Sequence, residues 1–141
     1  MPRLIALLRA INVGGHTVRM SVLREVFEGL GYAGVETFIA SGNVIFETRE
    51  RSTSAIEEKI EGGLKNALGY EVATFIRTPA ELAEIAQQPP FEQNEMGAAD
   101  LMNILFLKNE LDAERRRKLE ALSTDSDQFK AKGREIYWLR R

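Results

Sequence analysis

A short apolar run that breaks into a charge and then a glycine pair constrains this chain more than any other feature. Leu4-Ile5-Ala6-Leu7-Leu8 leads through Arg9 to Asn12-Val13-Gly14-Gly15-His16. A run this short, stopped by Gly-Gly, reads as a buried central strand over Arg3 to Ile11 rather than as a helix. A helix is expected next. Backbone N–H groups would then gather at the strand-to-helix turn, where a polar ligand can meet them.

The punctuation downstream is regular. Ser21 can cap a helix carrying Val22, Leu23, Val26, Phe27 and Leu30, with Gly31 as its stop. Val35 to Ala40 reads as a strand, Ser41-Gly42-Asn43 as a turn and Val44 to Thr48 as the returning strand. Ser54-Ala55-Ile56-Glu57 has the capping-box pattern, and Ile56, Ile60, Leu64 and Leu68 form the stripe behind it, closed by Gly69. Gly62-Gly63 inside that helix costs roughly 1 kcal/mol per glycine relative to alanine. The pair is out of place unless something packs closely there. Val72 to Arg77 is the next strand.

Thr78-Pro79-Ala80-Glu81 is a second capping box with proline at the first helical position. Its helix ends at Pro89-Pro90, and a polar loop over 91–100 follows. Leu101 to Leu107 is a buried strand, Asp112 caps a helix with Leu119 and Leu122, and Gln128–Ala131 pairs with Glu135–Leu139 across Lys132-Gly133. Tyr137 and Trp138 fall on opposite faces of that last strand, so one belongs to a core.

The order strand-helix-strand-strand-helix-strand is the split βαβ, ferredoxin-like plan of an α+β fold. One such module is expected over 1–78. A second is expected over 79–141, beginning with a linking helix and breaking off before its final helix and strand. Internal duplication is read from element order alone. In this plan the first and second strands are parallel with the third between them. Asn12-Val13-Gly14-Gly15 should therefore lie beside Ser41-Gly42-Asn43. The open edge of the 101–107 strand is a candidate for pairing with another chain. Either the protein self-associates there or the chain is a shortened form of something longer.

Composition narrows the function classes. The 141 residues carry a net charge of -2 and no cysteine. Disulfide frameworks, thiol catalysis and thiolate metal sites are excluded. A strongly basic nucleic-acid binder is disfavoured. No apolar stretch suits a signal peptide or a membrane span, so a cytoplasmic, non-membrane protein is expected. One histidine and scattered carboxylates give little for a metal, and the residues name no cofactor.

At the two loops the chain resembles a known family. Arg9, Ile11-Asn12-Val13-Gly14-Gly15 and Ser41-Gly42-Asn43-Val44 are similar to signature segments of the bacterial "domain of unknown function 1697" family. Pro90-Phe91 and Gly133-Arg134-Glu135-Ile136-Tyr137 extend the likeness along the chain. The resemblance implies tandem ferredoxin-like repeats and supplies no activity. Ala10 stands where that family usually has glycine, and its members continue past this length with a helix and a segment rich in Asn, Thr and Trp.

The candidate ligand-binding residues are Arg9, Asn12, Gly14, Gly15, His16, Ser41, Gly42 and Asn43. The glycine loop can cradle a phosphate or simply make a tight turn. Asn12 and Asn43 can recognise a ligand or lock the loops together. Arg9, near the end of a central strand, needs an anion or a carboxylate such as Glu36 or Glu47. The leading reading is a non-catalytic binding or assembly protein with a small-anion or nucleotide-type pocket at the Asn12/Ser41 edge. The runner-up is a nucleic-acid-associated protein using the sheet faces and Arg115-Arg116-Arg117-Lys118. A hydrolase or transferase built on Ser41 and His16 is the third reading, and no catalytic constellation is identifiable for it.

Overall fold

Alternating burial makes the N-terminal run a strand. In β1 (Arg3–Leu8), Ala6 and Leu8 are buried while Ile5 and Leu7 are half-buried. The computed structural model describes residues 2–9, 18–38, 42–92, 97 and 101–141. Within them the chain is mixed α+β, with two antiparallel sheets and four helices. Residues 1–83 form one compact unit and 84–141 another.

The first unit contains β1, α1 (Met20–Gly29), β2 (Ala33–Phe38), β3 (Asn43–Glu47), α2 (Thr53–Leu68) and β4 (Thr74–Arg77). Its sheet runs β2-β3-β1-β4, with every neighbouring pair antiparallel. β1 is thus interior and parallel to β2, with β3 between them. The core joins Ala6 and Leu8 to Val44 and Phe46 of β3, Leu23 and Phe27 of α1, and Ile56, Ile60 and Leu64 of α2. Phe27, Tyr32 and Phe46 form an aromatic cluster with centroids 4.6 to 6.3 Å apart.

Several expected boundaries move. α1 begins at Met20 with Arg19 at its N-cap position and no side-chain cap, so Ser21 already lies inside the helix. The cap of α2 is Ser52, whose hydroxyl accepts from Ala55 N, two residues before the expected Ser54. β2 starts at Ala33 rather than Val35, with a register shift between Ala33 and Glu36 around Gly34. Asn43 is no turn residue: it is in β3, opposite Leu7 and Phe38. Other expectations stand. Thr78 and Glu81 exchange both bonds of a capping box at 2.9 and 3.0 Å. Gly69 closes α2 at φ +83.

The glycine pair in α2 also finds its reason. A methyl at Gly63 would sit 3.2 Å from the Leu30 methyls and 3.4 Å from Val26, so this position lets α1 and α2 approach closely. Gly62 faces open space.

α3 (Pro79–Gln87) spans the division, and the second unit continues with β5 (Leu101–Phe106), α4 (Ala113–Glu120), β6 (Asp127–Lys132) and β7 (Glu135–Arg140). Asp112 caps α4 through Arg115 N at 2.8 Å. The sheet runs β5-β7-β6, again antiparallel. Tyr137 is buried, whereas Trp138 is half-buried, stacked on Phe129 and donating from Nε1 to Asp127 at 2.8 Å. Lys132 Nζ donates to the Gln88 carbonyl, and the Lys130 ammonium lies over the Phe91 ring.

Two predictions follow from the first unit's core. Gly62→Ala should raise stability by about 0.5–1 kcal/mol through helix propensity. Gly63→Ala should gain less or lose, because its methyl must displace Leu30; urea unfolding of the two variants reads the difference. The Tyr32 hydroxyl is buried without a hydrogen-bond partner. Burial, then the Glu50 carboxylate, pushes its pKa up to about 12. The fold therefore favours the neutral phenol. That stabilisation is complete below the unfolded value near 10 and is lost as pH rises from about 10 to 12. Tyr32→Phe should leave stability at neutral pH unchanged or higher and remove much of this alkaline loss, as read by unfolding across that range.

Candidate functional site

An edge strand exposes a row of N–H and C=O groups that must find partners. Antiparallel alternation turns the backbone of Thr74 and Ile76 away from β1, towards the open side of β4. Two glutamates of α2 meet it there. Glu61 accepts from Thr74 N at 2.9 Å, and Glu57 accepts from Ile76 N at 3.0 Å. The spacing explains the fit. Four residues of helix advance about 6 Å and two residues of strand about 6.6 Å, so carboxylates at i and i+4 match alternate strand amides. The Ile76 carbonyl accepts from Arg77 Nη1 at 2.9 Å. Glu57 is 3% exposed and Arg77 0%. Glu57, expected to close a capping box with Ser54, instead seals the sheet edge, because the helix begins earlier.

This clamp fixes α2 against β4, the neighbour of β1. Leu8 N donates to the Gly42 carbonyl at 3.1 Å, and Arg9 N donates to the Ala73 carbonyl at 2.9 Å. The end of β1 is thus held between the approach to β3 and the approach to β4. Gly42 has φ +73, which favours glycine there. Arg9 follows on the surface and borders an open cleft of about 500 Å³ lined by Glu61, Gly62, Lys65, Glu71, Val72 and Ala73.

Charges in the cleft are unevenly committed. Glu61 is held by Thr74 N, and Glu71 lies 3.5 Å from Lys65 in an exposed pair. Exposed pairs of this kind contribute little and exchange readily. Arg9 has no ion-pair partner among the described residues. The carboxylates considered for it lie at the other end of β1: Glu36 is 3.5 Å from Arg3, and Glu47 holds the position opposite Arg3 in the β1–β3 register.

Of the sequence candidates, Arg9, Gly42 and Asn43 are described, and they gather at the same end of the sheet. Asn12, Gly14, Gly15, His16 and Ser41, and with them the Ser41–His16 pairing, lie outside the described residues. Sequence reasoning missed Lys65, Glu61 and Glu71. The signal available for Glu61 was its four-residue step from Glu57 beside the apolar stripe of α2. The basic run on α4 is partly neutralised, with Arg115 3.7 Å from Asp112 and Lys118 3.3 Å from Glu114. Among the described residues no group of three His, Cys, Asp or Glu side chains could hold a metal ion. No described helix is long and apolar enough to cross a membrane.

Glu57→Ala should lower stability by about 1–3 kcal/mol, the cost of leaving a buried N–H unsatisfied. Denaturant unfolding checks this, with the exposed Glu114→Ala as a near-neutral control.

Comparison with known proteins agrees with the architecture. The description "Protein of unknown function (DUF1697)" matches residues 1–137. A conserved bacterial protein from Streptococcus pneumoniae, of solved structure, is similar at TM-score 0.76 and 27% identity. The match covers 99% of this chain and 77% of that one. No curated protein matches.

Proposed function

We propose, from the premise that the chain belongs to the DUF1697 family of proteins of unknown function, that it is a non-catalytic binding protein for a small phosphate-bearing anion. The anion binds at the end of β1. The observation that carries this reading is Arg9: an exposed guanidinium, unpaired among the described residues, beside a cleft that also holds the loosely paired Lys65. The neighbouring 10–17 segment, with its two glycines and His16, supplies further donors in this reading. Gly42 and Asn43 lie on the other side of the β1 end, where Leu8 N donates to the Gly42 carbonyl.

The same reading takes residues 1–83 as a ferredoxin-like module. It is supported by the succession βαββαβ and the order β2-β3-β1-β4. Residues 84–141 are read as a repeat of the first part of that plan, since β5-β7-β6 follows the pattern of β1-β3-β2. In such a plan the end of the first strand and the turn after the second share one edge.

A thermal-shift titration with inorganic phosphate and with a nucleoside diphosphate tests the proposal. A ligand at a hundred times its Kd adds about 2.7 kcal/mol to stability. The wild type should show a saturable rise in Tm. Arg9→Ala should lose that rise while keeping its ligand-free Tm, since the side chain is exposed. No shift with either anion, or an equal shift in Arg9→Ala, overturns the reading. Steeply salt-dependent binding to an oligonucleotide in place of the anion response would favour nucleic acid instead.

A further inference from the structure

The four sheet edges are treated differently. β4 is sealed by Glu57, Glu61 and Arg77. β2 carries a register shift, a left-handed Gly34 and the charged Glu36. β6 carries Asp127, Lys130 and Lys132. These are the devices that keep edges from pairing with other chains. β5 has none of them. Its sequence, Leu101-Met102-Asn103-Ile104-Leu105-Phe106, holds no charge, proline or glycine, and no described strand lies on its outer side.

The exposed groups of β5 have a definite pattern. Leu107 N donates to the Arg134 carbonyl, so by alternation Leu105, Asn103 and Leu101 direct their backbone groups to β7. Met102 and Ile104 direct theirs outwards. Leu101 and Leu105, on one face, are 50% and 45% exposed.

We propose that β5 is a self-association strand: two copies of the chain pair β5 to β5, antiparallel, about a two-fold axis through Asn103. In that register Met102 of one copy exchanges both backbone bonds with Ile104 of the other, and the reverse pair does the same. Leu101 of each copy meets Leu105 of the other on the same face. Each outward backbone group of Met102 and Ile104 is matched, and each exposed leucine is partly covered. A two-fold contact uses the same strand on both sides and therefore closes. The continuous sheet that results ends at β6 on both sides, where lysines discourage further growth. An uncharged strand also places no like charges opposite each other in self-pairing.

The absence of cysteine permits a direct test. Asn103 falls at the axis in a non-hydrogen-bonded pair, where Cα atoms stand about 4.5 Å apart, within the range a disulfide spans. Asn103→Cys should form a disulfide dimer under mild oxidation, while the exposed Ala121→Cys should not. Sedimentation velocity should show wild-type dimer growing with concentration and Leu105→Lys shifted to monomer, with far-UV circular dichroism showing that both variants fold. A wild type that stays monomeric at millimolar concentration overturns the proposal. So does cross-linking at position 103 no better than at 121, or a dimer that Leu105→Lys leaves intact.

Discussion

Two carboxylates on two strand amides organise the first unit. Glu57 and Glu61 reach from α2 to the open side of β4, and their helical step matches the pleat of the strand. Once that contact is made, the height of α2 over the sheet is set. Gly63 then lies close against Val26 of α1 and Leu30 at its C-cap, where an added methyl would press on both. The same clamp places Lys65 and Glu61 beside the end of β1, and so creates the cleft that Arg9 borders. Packing, edge protection and the candidate site therefore share one cause.

Much of this was legible from the sequence where the signal is local. The apolar run, the Thr78–Glu81 box, the Asp112 cap, Gly69 and the Gly133 hairpin each act through neighbours within a few residues. Each places its element correctly. The Leu8–Gly42 bond joins the end of β1 to the start of β3, while the expected meeting of Asn12-Val13-Gly14-Gly15 with Ser41 lies outside the described residues. The first two helix starts were misplaced for a physical reason. Ser21 and Ser54 are each followed by helical periodicity, but Arg19 and Ser52 are where the backbone is extended. A hydroxyl two residues late looks the same in sequence.

The carboxylate clamp was not legible. Glu57 and Glu61 look like solvated helix residues until β4 is known to be an edge lying beside α2. That fact depends on the pairing of β4 with β1, from Leu8 opposite Thr74 to Ile5 opposite Arg77, far apart in sequence. The packing role of Gly63 is similar: the sequence showed the propensity cost but not the neighbour responsible. The fate of Arg9 was legible in part. Its place at a strand end was clear, whereas the position of Glu36 and Glu47 at the Arg3 end of β1 required the register.

The central claim is that edges are managed strand by strand, β4 by internal carboxylates and β5 by nothing among the described residues. Residue-resolved hydrogen exchange at two protein concentrations tests it most directly. The account predicts that the Thr74 and Ile76 amides are slow at both concentrations. The Met102 and Ile104 amides should be fast in dilute solution and slow when concentrated. Rapid exchange at Thr74 and Ile76, or concentration-independent protection at Met102 and Ile104, would contradict it.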